Sequence, residues 1–274
     1  MSDSQRDLSA ESLIAAIEAN LFAFMPLFRK LPRIEVHQGS AVTWSISDLP
    51  FPDFNSVIRA QLPAEEIDTT IQSILAQART RNVPLLWWIG PSTRPADLDQ
   101  HLKRHGFANQ GHLTGMALEL ARMQEIGLAL PGLSVRRVED DRSLKLWSEV
   151  CAAGFGIPDL AGKAYYEFMT YMDADTAIAY IGWLNDQPVA TSLLMLAAGV
   201  AGIYNVATIS EARRQGIGAL MTSTPLRDAR ERGYNIGVLH SSDMAIGVYR
   251  SLGFREYCTF QHYVWLPEQD PAST

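Results

Sequence analysis

The chain has 274 residues, 47% of them hydrophobic and 19% charged, a composition typical of one large or two ordinary globular domains. Its net charge of −7 and isoelectric point of about 5.4 argue against nucleic acid as the main partner, because nucleic-acid binding needs a basic surface. The two cysteines, Cys151 and Cys258, are far apart, which favours buried free thiols over a disulfide framework or a metal site.

The N-terminal region shows no signal-peptide pattern. Its apolar segment at 21–27 contains Pro26 and is too short to span a bilayer. We therefore expect a cytoplasmic protein with reduced thiols and no membrane partner.

Predicted helices and strands alternate along the first half of the chain, as judged from the spacing of apolar residues. Helices are predicted at 13–24, 64–81 and 97–104, and strands at 34–46, 83–89 and 113–120. The first strand pattern is interrupted by a turn at 38–40, and a loop follows at 50–55. Residues 122–132, which end in Pro131-Gly132, are predicted to be a linker.

The second half continues the alternation. Strands are predicted at 133–138, 177–184, 188–196, 200–208, 236–240 and 255–265, and the dipeptide Asn185-Asp186 predicts a hairpin between the second and the third. Helices are predicted at 141–155, 163–172 and 219–232. The last of these contains Pro225, which favours a kink.

The most informative segment is 205–220, where a β-branched stretch leads into a basic loop and then into a helix. Gly216 and Gly218 lack Cβ atoms, so the backbone there can approach a ligand closely. The first-turn N–H groups have no partner within the helix and attract anions, and Arg213 and Arg214 add positive charge. The segment predicts a phosphate-binding loop, with a plain strand–helix connection as the alternative.

Residues downstream favour the phosphate-binding loop. A short apolar strand is followed by the pattern A-x-x-x-Y-x-x-L-G-F, in which Tyr249 lies on a short helix that ends at Gly253. The order R-x-x-G-x-G, helix, strand, A-x-x-x-Y-x-x-L-G-F, strand resembles the acetyl-coenzyme A core of the GNAT N-acetyltransferases. The resemblance covers roughly residues 133–266, about half of the chain.

The first half of the chain resembles the second when Gly106 is aligned with Gly253, an offset of 147 residues (253 − 106). Each half then has a helix, a strand, a short helix, a G-F pair and a final strand. The helix at 64–81 starts with acidic residues instead of glycines, and acidic residues repel a pyrophosphate. We interpret the first half as a degenerate copy without its own coenzyme site; chance similarity is the alternative.

The resemblance implies an α/β fold (an α+β mixed sheet) with two GNAT-like acyl-CoA N-acyltransferase domains. Each is expected to be a central mixed, mostly antiparallel sheet flanked by helices. We predict a degenerate domain at 1–121, a linker at 122–132 and a catalytic domain at 133–274.

The resemblance also implies which residues contact coenzyme A, mostly through their backbone. Pantetheine is expected on the strand before the loop, which splays from the next parallel strand, and the pyrophosphate on the loop amides. Where the family often has an asparagine that contacts pantetheine, this chain has a serine, which is a weaker match. The predicted coenzyme-binding residues are Val206, Ala207, Thr208, Arg213, Arg214, Gln215, Gly216, Ile217, Gly218, Ala219 and Ser242.

Two residues are candidates for catalysis by direct attack of an amine on the thioester. Tyr249 is at the family's position for the acid that protonates the departing thiolate; aromatic packing is the alternative. His240 is at the end of the strand that lines the gap and is the candidate base, because histidine titrates near neutral pH; a structural role is the alternative. A backbone N–H at Val206 or Ala207 is expected to stabilise the oxyanion.

These features predict an acetyltransferase that moves the acetyl group from acetyl-CoA, its co-substrate, to a primary amine without a metal. The rival hypothesis is a non-catalytic acyl-CoA-binding or regulatory module, because the base is poorly specified. A Rossmann-type nucleotide-binding protein fits poorly, since Met221 replaces the third glycine of G-x-G-x-x-G. The sequence does not identify the acceptor, a small-molecule or peptide amine, and leaves monomer and homodimer open.

Overall fold

The computed structural model describes residues 8–124 and 130–267, so 125–129 of the predicted linker lie outside the described residues. Its helices are α1 (Ala10–Phe22), α2 (Phe24–Phe28), α3 (Ile67–Arg81), α4 (Leu98–Arg104), α5 (Asp141–Phe155), α6 (Asp159–Thr170), α7 (Ile217–Glu231) and α8 (Ile246–Ser251). Its strands are β1 (Ile34–Gln38), β2 (Val42–Ser47), β3 (Ser56–Ala60), β4 (Leu85–Ile89), β5 (Ala108–Glu119), β6 (Leu133–Arg137), β7 (Ala177–Leu184), β8 (Gln187–Ala197), β9 (Val200–Thr208), β10 (Ile236–Ser241) and β11 (Arg255–Trp265).

Contacts divide the chain into two compact units, neither of which is one continuous stretch. Unit 1 comprises the residues up to Ala23 together with Thr114–Cys258. Unit 2 comprises Phe24–Leu113 together with the residues from Thr259 onwards.

The sheet of unit 1 has the strand order β5-β10-β9-β8-β7-β6, in which β9 and β10 are parallel and the other neighbours antiparallel. Helix α7 covers one face. A Cβ atom on Gly182 would lie 2.7 Å from Met221 of α7, and one on Gly237 would lie 2.9 Å from Leu226. These glycines let α7 pack directly on the sheet.

Helices α1 and α5 cover the opposite face of the same sheet. Gly202 pairs with Val238, the neighbour of Gly237, so alternation directs it away from α7. A Cβ atom on Gly202 would lie only 1.9 Å from Asn20 Oδ1 of α1. On the same side, Gly154 of α5 contacts β9 near its end. The sheet is therefore enclosed between helices.

The N-terminal helix is part of this core. The helical stretch Ala10–Phe28 is long and apolar enough to cross a membrane, judged by length and composition alone. Ile17 and Asn20 are nevertheless fully buried within the protein, and Leu13 and Leu21 are buried beside them. This burial is what a core helix shows.

The sheet of unit 2 has the order β1-β2-β3-β4-β11, with β3 and β4 as its parallel pair and antiparallel pairing elsewhere. Its core joins Ile71 of α3, Leu102 of α4 and Trp87 of β4, all fully buried. Both units are thus mixed, mostly antiparallel sheets with flanking helices, and the predicted fold class is confirmed.

Most predicted elements are present, and the differences have local causes. The predicted hairpin at Asn185-Asp186 exists, and both residues have the positive φ angles that such turns favour. Strand β3 was not predicted, because four of its five residues are buried and the strand shows no regular alternation. Helix α6 begins at Asp159 rather than 163, directly after Pro158.

The final strands of the two halves of the chain are exchanged between the units. Residues 114–119 of β5 pair with β10 in unit 1, although they belong to the first half. Residues 261–265 of β11 pair with β4 in unit 2, although they belong to the second half. Each compact unit therefore contains residues from both sides of the predicted linker at 122–132. The interpretation of the two halves of the chain as copies of one fold stays a prediction.

Because unit 1 takes α1 and residues 114–119 from the first half of the chain, a fragment of residues 133–274 lacks one strand and one covering helix. We expect this fragment to show no cooperative thermal transition by circular dichroism, and to gain one when co-expressed with residues 1–124. Cooperative unfolding of residues 133–274 alone would contradict this expectation.

Candidate functional site

The parallel strands β9 and β10 separate in the middle of the unit 1 sheet, at a point that we call the parting. Their pairing ends at Ile203 opposite Leu239. Beyond that point, residues 204–208 have no register partner on β10 within the described part of the chain. Strand β9 continues to Thr208 along its other neighbour, β8. The splayed geometry that the family resemblance implied is therefore present.

A β-bulge redirects β9 at the parting. Leu193 of β8 pairs with Tyr204 and Thr191 pairs with Ala207, so β9 has one extra residue in between. Asn205 adopts a left-handed conformation with φ +49°, which asparagine tolerates better than most residues. Its carbonyl accepts a hydrogen bond of 2.9 Å from Thr191 Oγ1. The bulge reorients the amides that follow, those of Val206 and Ala207.

Arg213 ties the end of β9 to helix α5. Its Nε donates to the carbonyl of Thr208 at 3.0 Å, and its Nη2 donates to the carbonyl of Gly154 at 2.7 Å. The two segments touch so closely that a Cβ atom on Gly154 would lie 2.8 Å from Ala207 Cβ. Arg213 thus bonds to protein, whereas Arg214 is exposed with φ +60°.

The loop after β9 ends in a helix start that leaves amides exposed to a ligand. Gly216 is the N-cap of α7, with φ +80° and no side chain to cap the helix. Among the described residues, no backbone acceptor meets the amides of Ile217 and Gly218, and the first turn holds no acidic residue. A Cβ atom on Gly218 would meet nothing within 4 Å. This geometry suits an anion. Gln215 is exposed beside it, and Ala219 is buried.

Tyr249 is buried in the core on the α7 side of the sheet. Its side chain is 7% exposed and packs edge-on against Phe254, with ring centroids 6.0 Å apart. Burial raises the pKa of Tyr249 to about 12, so the hydroxyl keeps its proton at neutral pH. Ser242 precedes α8 and is half-buried. Its carbonyl accepts hydrogen bonds from the amides of Ala245 and Ile246.

His240 lies on the opposite face of the sheet. It directly follows Leu239, the last residue of β10 that pairs with β9, and it pairs with Gly115 of β5. Both of its ring nitrogens are buried, and its ring centroid is 6.1 Å from that of Tyr204. The structure therefore places the two predicted catalytic residues on opposite sides of the parting, and it places Tyr204 beside His240, a contact that the sequence does not indicate.

Unit 2 has a similar parting, but its own chain fills it. Pairing of β3 with β4 ends at Val57 opposite Trp87. Beyond it, the amide of Arg94 donates a hydrogen bond to the carbonyl of Ala60 at 2.9 Å, and the carbonyl of Arg94 accepts one from the amide of Leu62 at 3.0 Å. These backbone groups, at the end of β3 and directly after it, are the ones that a ligand lying along the strand edge would need.

The helix that follows β3 also begins with negative charge. Glu65 and Glu66 precede α3, and Asp68 lies in its first turn. Asp68 Oδ1 lies 2.9 Å from His101 Nδ1 and 2.9 Å from His105 Nε2. These hydrogen bonds, that of His101 foremost, lower the pKa of Asp68, which therefore stays charged at neutral pH. An anion is repelled here.

Two of the cavities among the described residues lie away from the parting. One of about 310 Å³ lies in unit 1 between Arg137 and Met172, and one of about 260 Å³ lies in unit 2 beside Trp44. Neither is lined by residues 204–219 or 240–249. A ligand that lies along a strand edge and on a helix N-terminus needs no enclosed cavity.

Comparison with known proteins agrees with this geometry. Residues 144–254 match the model of the acetyltransferase (GNAT) family, a segment that contains β9, the loop, α7 and Tyr249. The family resemblance inferred from the sequence is thereby confirmed. No curated protein matches the chain.

Solved structures resemble almost the whole chain. A GCN5-related N-acetyltransferase from Kribbella flavida is 19% identical, with 93% of this chain and 96% of that chain covered and a TM-score of 0.67. A GCN5-related N-acetyltransferase from Sphaerobacter thermophilus is 15% identical, with 98% of this chain and 98% of that chain covered and a TM-score of 0.60. A tandem GNAT protein from the clavulanic acid biosynthesis pathway is 12% identical, with 96% of this chain and 98% of that chain covered and a TM-score of 0.58. At these identities the similarity shows a shared fold.

The packing of α5 on β9 predicts opposite effects for one substitution at two glycines. In Gly154→Ala the new methyl would overlap Ala207, and we expect a loss of about 1–3 kcal/mol in unfolding free energy. In Gly218→Ala the methyl enters open space in a helix, and we expect no loss or a small gain. Urea unfolding of both variants measures the difference, and equal stabilities would refute the close packing.

Proposed function

We propose that this chain, whose residues 144–254 are a GNAT acetyltransferase domain, transfers an acetyl group from acetyl-CoA to a primary amine. The observation that carries the proposal is the parting of β9 from β10 directly before an uncapped helix N-terminus. A long substrate with an anionic centre suits this arrangement, because strand edge and helix amides offer it consecutive hydrogen bonds.

We assign coenzyme A recognition to unit 1. Pantetheine pairs with the edge of β9 at Val206–Thr208, and the pyrophosphate accepts hydrogen bonds from the amides of Gln215–Gly218. The amide of Ala219, also predicted from the sequence, already donates to the carbonyl of Gly216 at 3.0 Å. Arg214 supplies exposed positive charge, which matters locally although the whole chain is acidic. Arg213 acts indirectly, by holding Thr208, and Ser242 offers a hydroxyl at the far side of the gap.

We assign no coenzyme to unit 2. The backbone of Arg94 already uses the groups on Ala60 and Leu62 that a pantetheine chain would need. The negative charges before and within the first turn of α3 also oppose a pyrophosphate. Both observations support one coenzyme per chain.

The reaction we propose is a direct acyl transfer. The amine nitrogen attacks the thioester carbon, a C–N bond forms, and the C–S bond breaks as the thiolate leaves. The oxyanion of the tetrahedral intermediate accepts a hydrogen bond from a reoriented amide at Val206 or Ala207. The proton that the nitrogen loses ends on the thiolate or in solvent.

Tyr249 serves this reaction as a hydrogen-bond donor to sulfur. Its pKa of about 12 is far above the roughly 8.5 of an ordinary thiol, so complete proton transfer to the thiolate would cost about 5 kcal/mol. A hydrogen bond carries no such cost and still stabilises the developing negative charge. His240, on the other side of the parting, is the proposed proton acceptor for the amine.

We further propose a cytoplasmic setting and a small-molecule or peptide amine as the partner, without nucleic acid or membrane. Cys151 and Cys258 are free thiols, as expected for a reducing compartment. Cys151 is buried, and burial raises the pKa of Cys258 to about 12, which keeps the Cys258 thiol protonated and unreactive at neutral pH.

The assignment of one coenzyme site predicts the stoichiometry of binding. Calorimetry with acetyl-CoA should give one site per chain. Gly218→Glu places a carboxylate at the pyrophosphate position and should weaken binding more than a hundredfold, whereas Gly218→Ala should weaken it only several-fold. A second site, or a Gly218→Glu variant that binds normally, would refute the assignment.

The role of Tyr249 predicts a loss of turnover without loss of binding. Tyr249→Phe removes only the hydroxyl, and we expect kcat to fall ten- to a hundredfold while acetyl-CoA affinity is unchanged. In the unsubstituted protein the rate should rise with pH as the amine loses its proton, with no fall from Tyr249 ionisation below about pH 11. Thiol release with a panel of primary amines measures both, and unchanged turnover in the variant would remove the donor role.

A further inference from the structure

A buried hydroxyl on β8 holds the bulge of β9 in one orientation. It belongs to Thr191, which is fully buried and was not among the site residues predicted from the sequence. Its Oγ1 donates the hydrogen bond of 2.9 Å to the carbonyl of Asn205. We infer that Thr191 is a positioning residue, which aims the amide of Val206 at the thioester oxygen of acetyl-CoA. This inference rests on the proposed function.

The bond from Thr191 fixes the direction of a whole peptide group. The peptide between Asn205 and Val206 is trans, so its carbonyl and its N–H point in opposite directions. The Asn205 carbonyl points to Thr191 on β8. The Val206 N–H therefore points away from β8, toward the side on which β10 has separated from β9.

The position of Thr191 also shows toward which face of the sheet this amide leans. Thr191 pairs with Ala207, and paired residues of neighbouring strands carry their side chains on the same face. The Cβ atom of Ala207 faces Gly154 of α5, so the Thr191 hydroxyl lies on the α5 side. The Val206 N–H consequently leans toward the α7 side, where Tyr249 lies.

The neighbouring amide, that of Ala207, points the other way. Ile209 donates its amide to the carbonyl of Val189 at 3.0 Å, so these two residues form a hydrogen-bonded pair. Antiparallel pairs alternate between hydrogen-bonded and non-hydrogen-bonded, so the pair two positions earlier, Ala207 with Thr191, is hydrogen-bonded as well. Of the two amides, that of Val206 is therefore the one that points to the parting.

Contacts on both faces of the sheet keep this peptide from turning. Asn205 Nδ2 donates to Cys151 Sγ of α5 at 3.8 Å, and Val206 packs against the hydrophobic core on the α7 side. The Val206 amide is thus oriented before a substrate binds. A donor that is fixed in advance stabilises charge without a cost of reorientation at the moment of reaction.

The fixed amide matters most when the thioester oxygen becomes negative. As the amine nitrogen adds to the carbonyl carbon, the π electron pair moves onto oxygen, and it returns when the C–S bond breaks. A hydrogen bond from Val206 is stronger to the oxyanion than to the neutral carbonyl. Loss of the Thr191 hydroxyl should therefore lower kcat rather than the affinity for coenzyme A.

Substitutions at Thr191 test the inference in the full-length protein. Thr191→Val keeps the shape of the side chain and removes the hydroxyl. We expect kcat for thiol release to fall about tenfold, less than when an oxyanion donor is removed outright, with KM for acetyl-CoA and coenzyme A affinity unchanged. Thr191→Ser retains the hydroxyl and should restore the rate. Thr191→Ala takes the place of Thr191→Val if valine prevents folding.

Ser192→Ala is the matched control. It removes the hydroxyl of the next residue on β8, which is also fully buried and whose oxygen has no hydrogen-bond partner among the described residues. The substitution disturbs the same strand without touching Asn205, so kcat should be unchanged.

An infrared measurement supplies a readout that does not depend on transfer. The protein is saturated, without an amine, with acetyl-CoA that carries carbon-13 at the thioester carbonyl. We expect the carbonyl band at a lower frequency than in free acetyl-CoA, because a hydrogen bond weakens the C=O bond. Thr191→Val should move the band back toward the free frequency, whereas Thr191→Ser and Ser192→Ala should not.

The outcomes separate the inference from the proposed function. A band at the free frequency in the unsubstituted protein, or equal kcat in Thr191→Val and Ser192→Ala, overturns the inference even if thiol is released. A Thr191→Ser variant as slow as Thr191→Val overturns it too, because the loss would not follow the hydroxyl. A lowered band that depends on Thr191, without thiol release for any amine, sustains the inference and defeats the proposed function.

Discussion

The parting of β9 from β10 is the constraint on which unit 1 depends. Two parallel strands that separate inside a sheet leave N–H and C=O groups without ladder partners, and such groups are costly unless water or a ligand meets them. The separation is built in by three features: the bulge at Asn205, the bonds of Arg213 to both segments, and the missing Cβ of Gly154. The protein thus maintains a gap that a ligand with polar groups along its length can fill.

Unit 2 meets the same constraint without a ligand. Its strands β3 and β4 also part, and the backbone of Arg94 supplies the missing partners on β3. A gap filled by the protein's own chain needs no glycine at the following helix and tolerates acid there, and Asp68 is accordingly bonded to two histidines. The difference between the two units therefore lies in what satisfies the backbone groups at the strand edge.

Sequence reasoning succeeded where the determinants are local. The glycines of the 205–220 loop, the Tyr249 helix and the Asn185-Asp186 turn each depend on a few consecutive residues, and all three elements are present. It failed where partners are distant in the chain. The exchange of β5 and β11, the contact of Asn20 with Tyr204 and the pairing of Arg94 with β3 are formed across many residues, and no periodicity marks them.

The two faces of the parting differ in hydrogen-bond character, and this difference matches the proposed chemistry. On the α7 side are donors: the amides of Ile217 and Gly218 and the protonated hydroxyl of Tyr249. They suit the parts of the reaction that carry negative charge, the pyrophosphate and the departing sulfur. On the α1 side lies the imidazole of His240, both of whose ring nitrogens are buried. As the proposed proton acceptor it suits an amine that must lose a proton, so electron density would move from the α1 side toward the α7 side as the new bond forms.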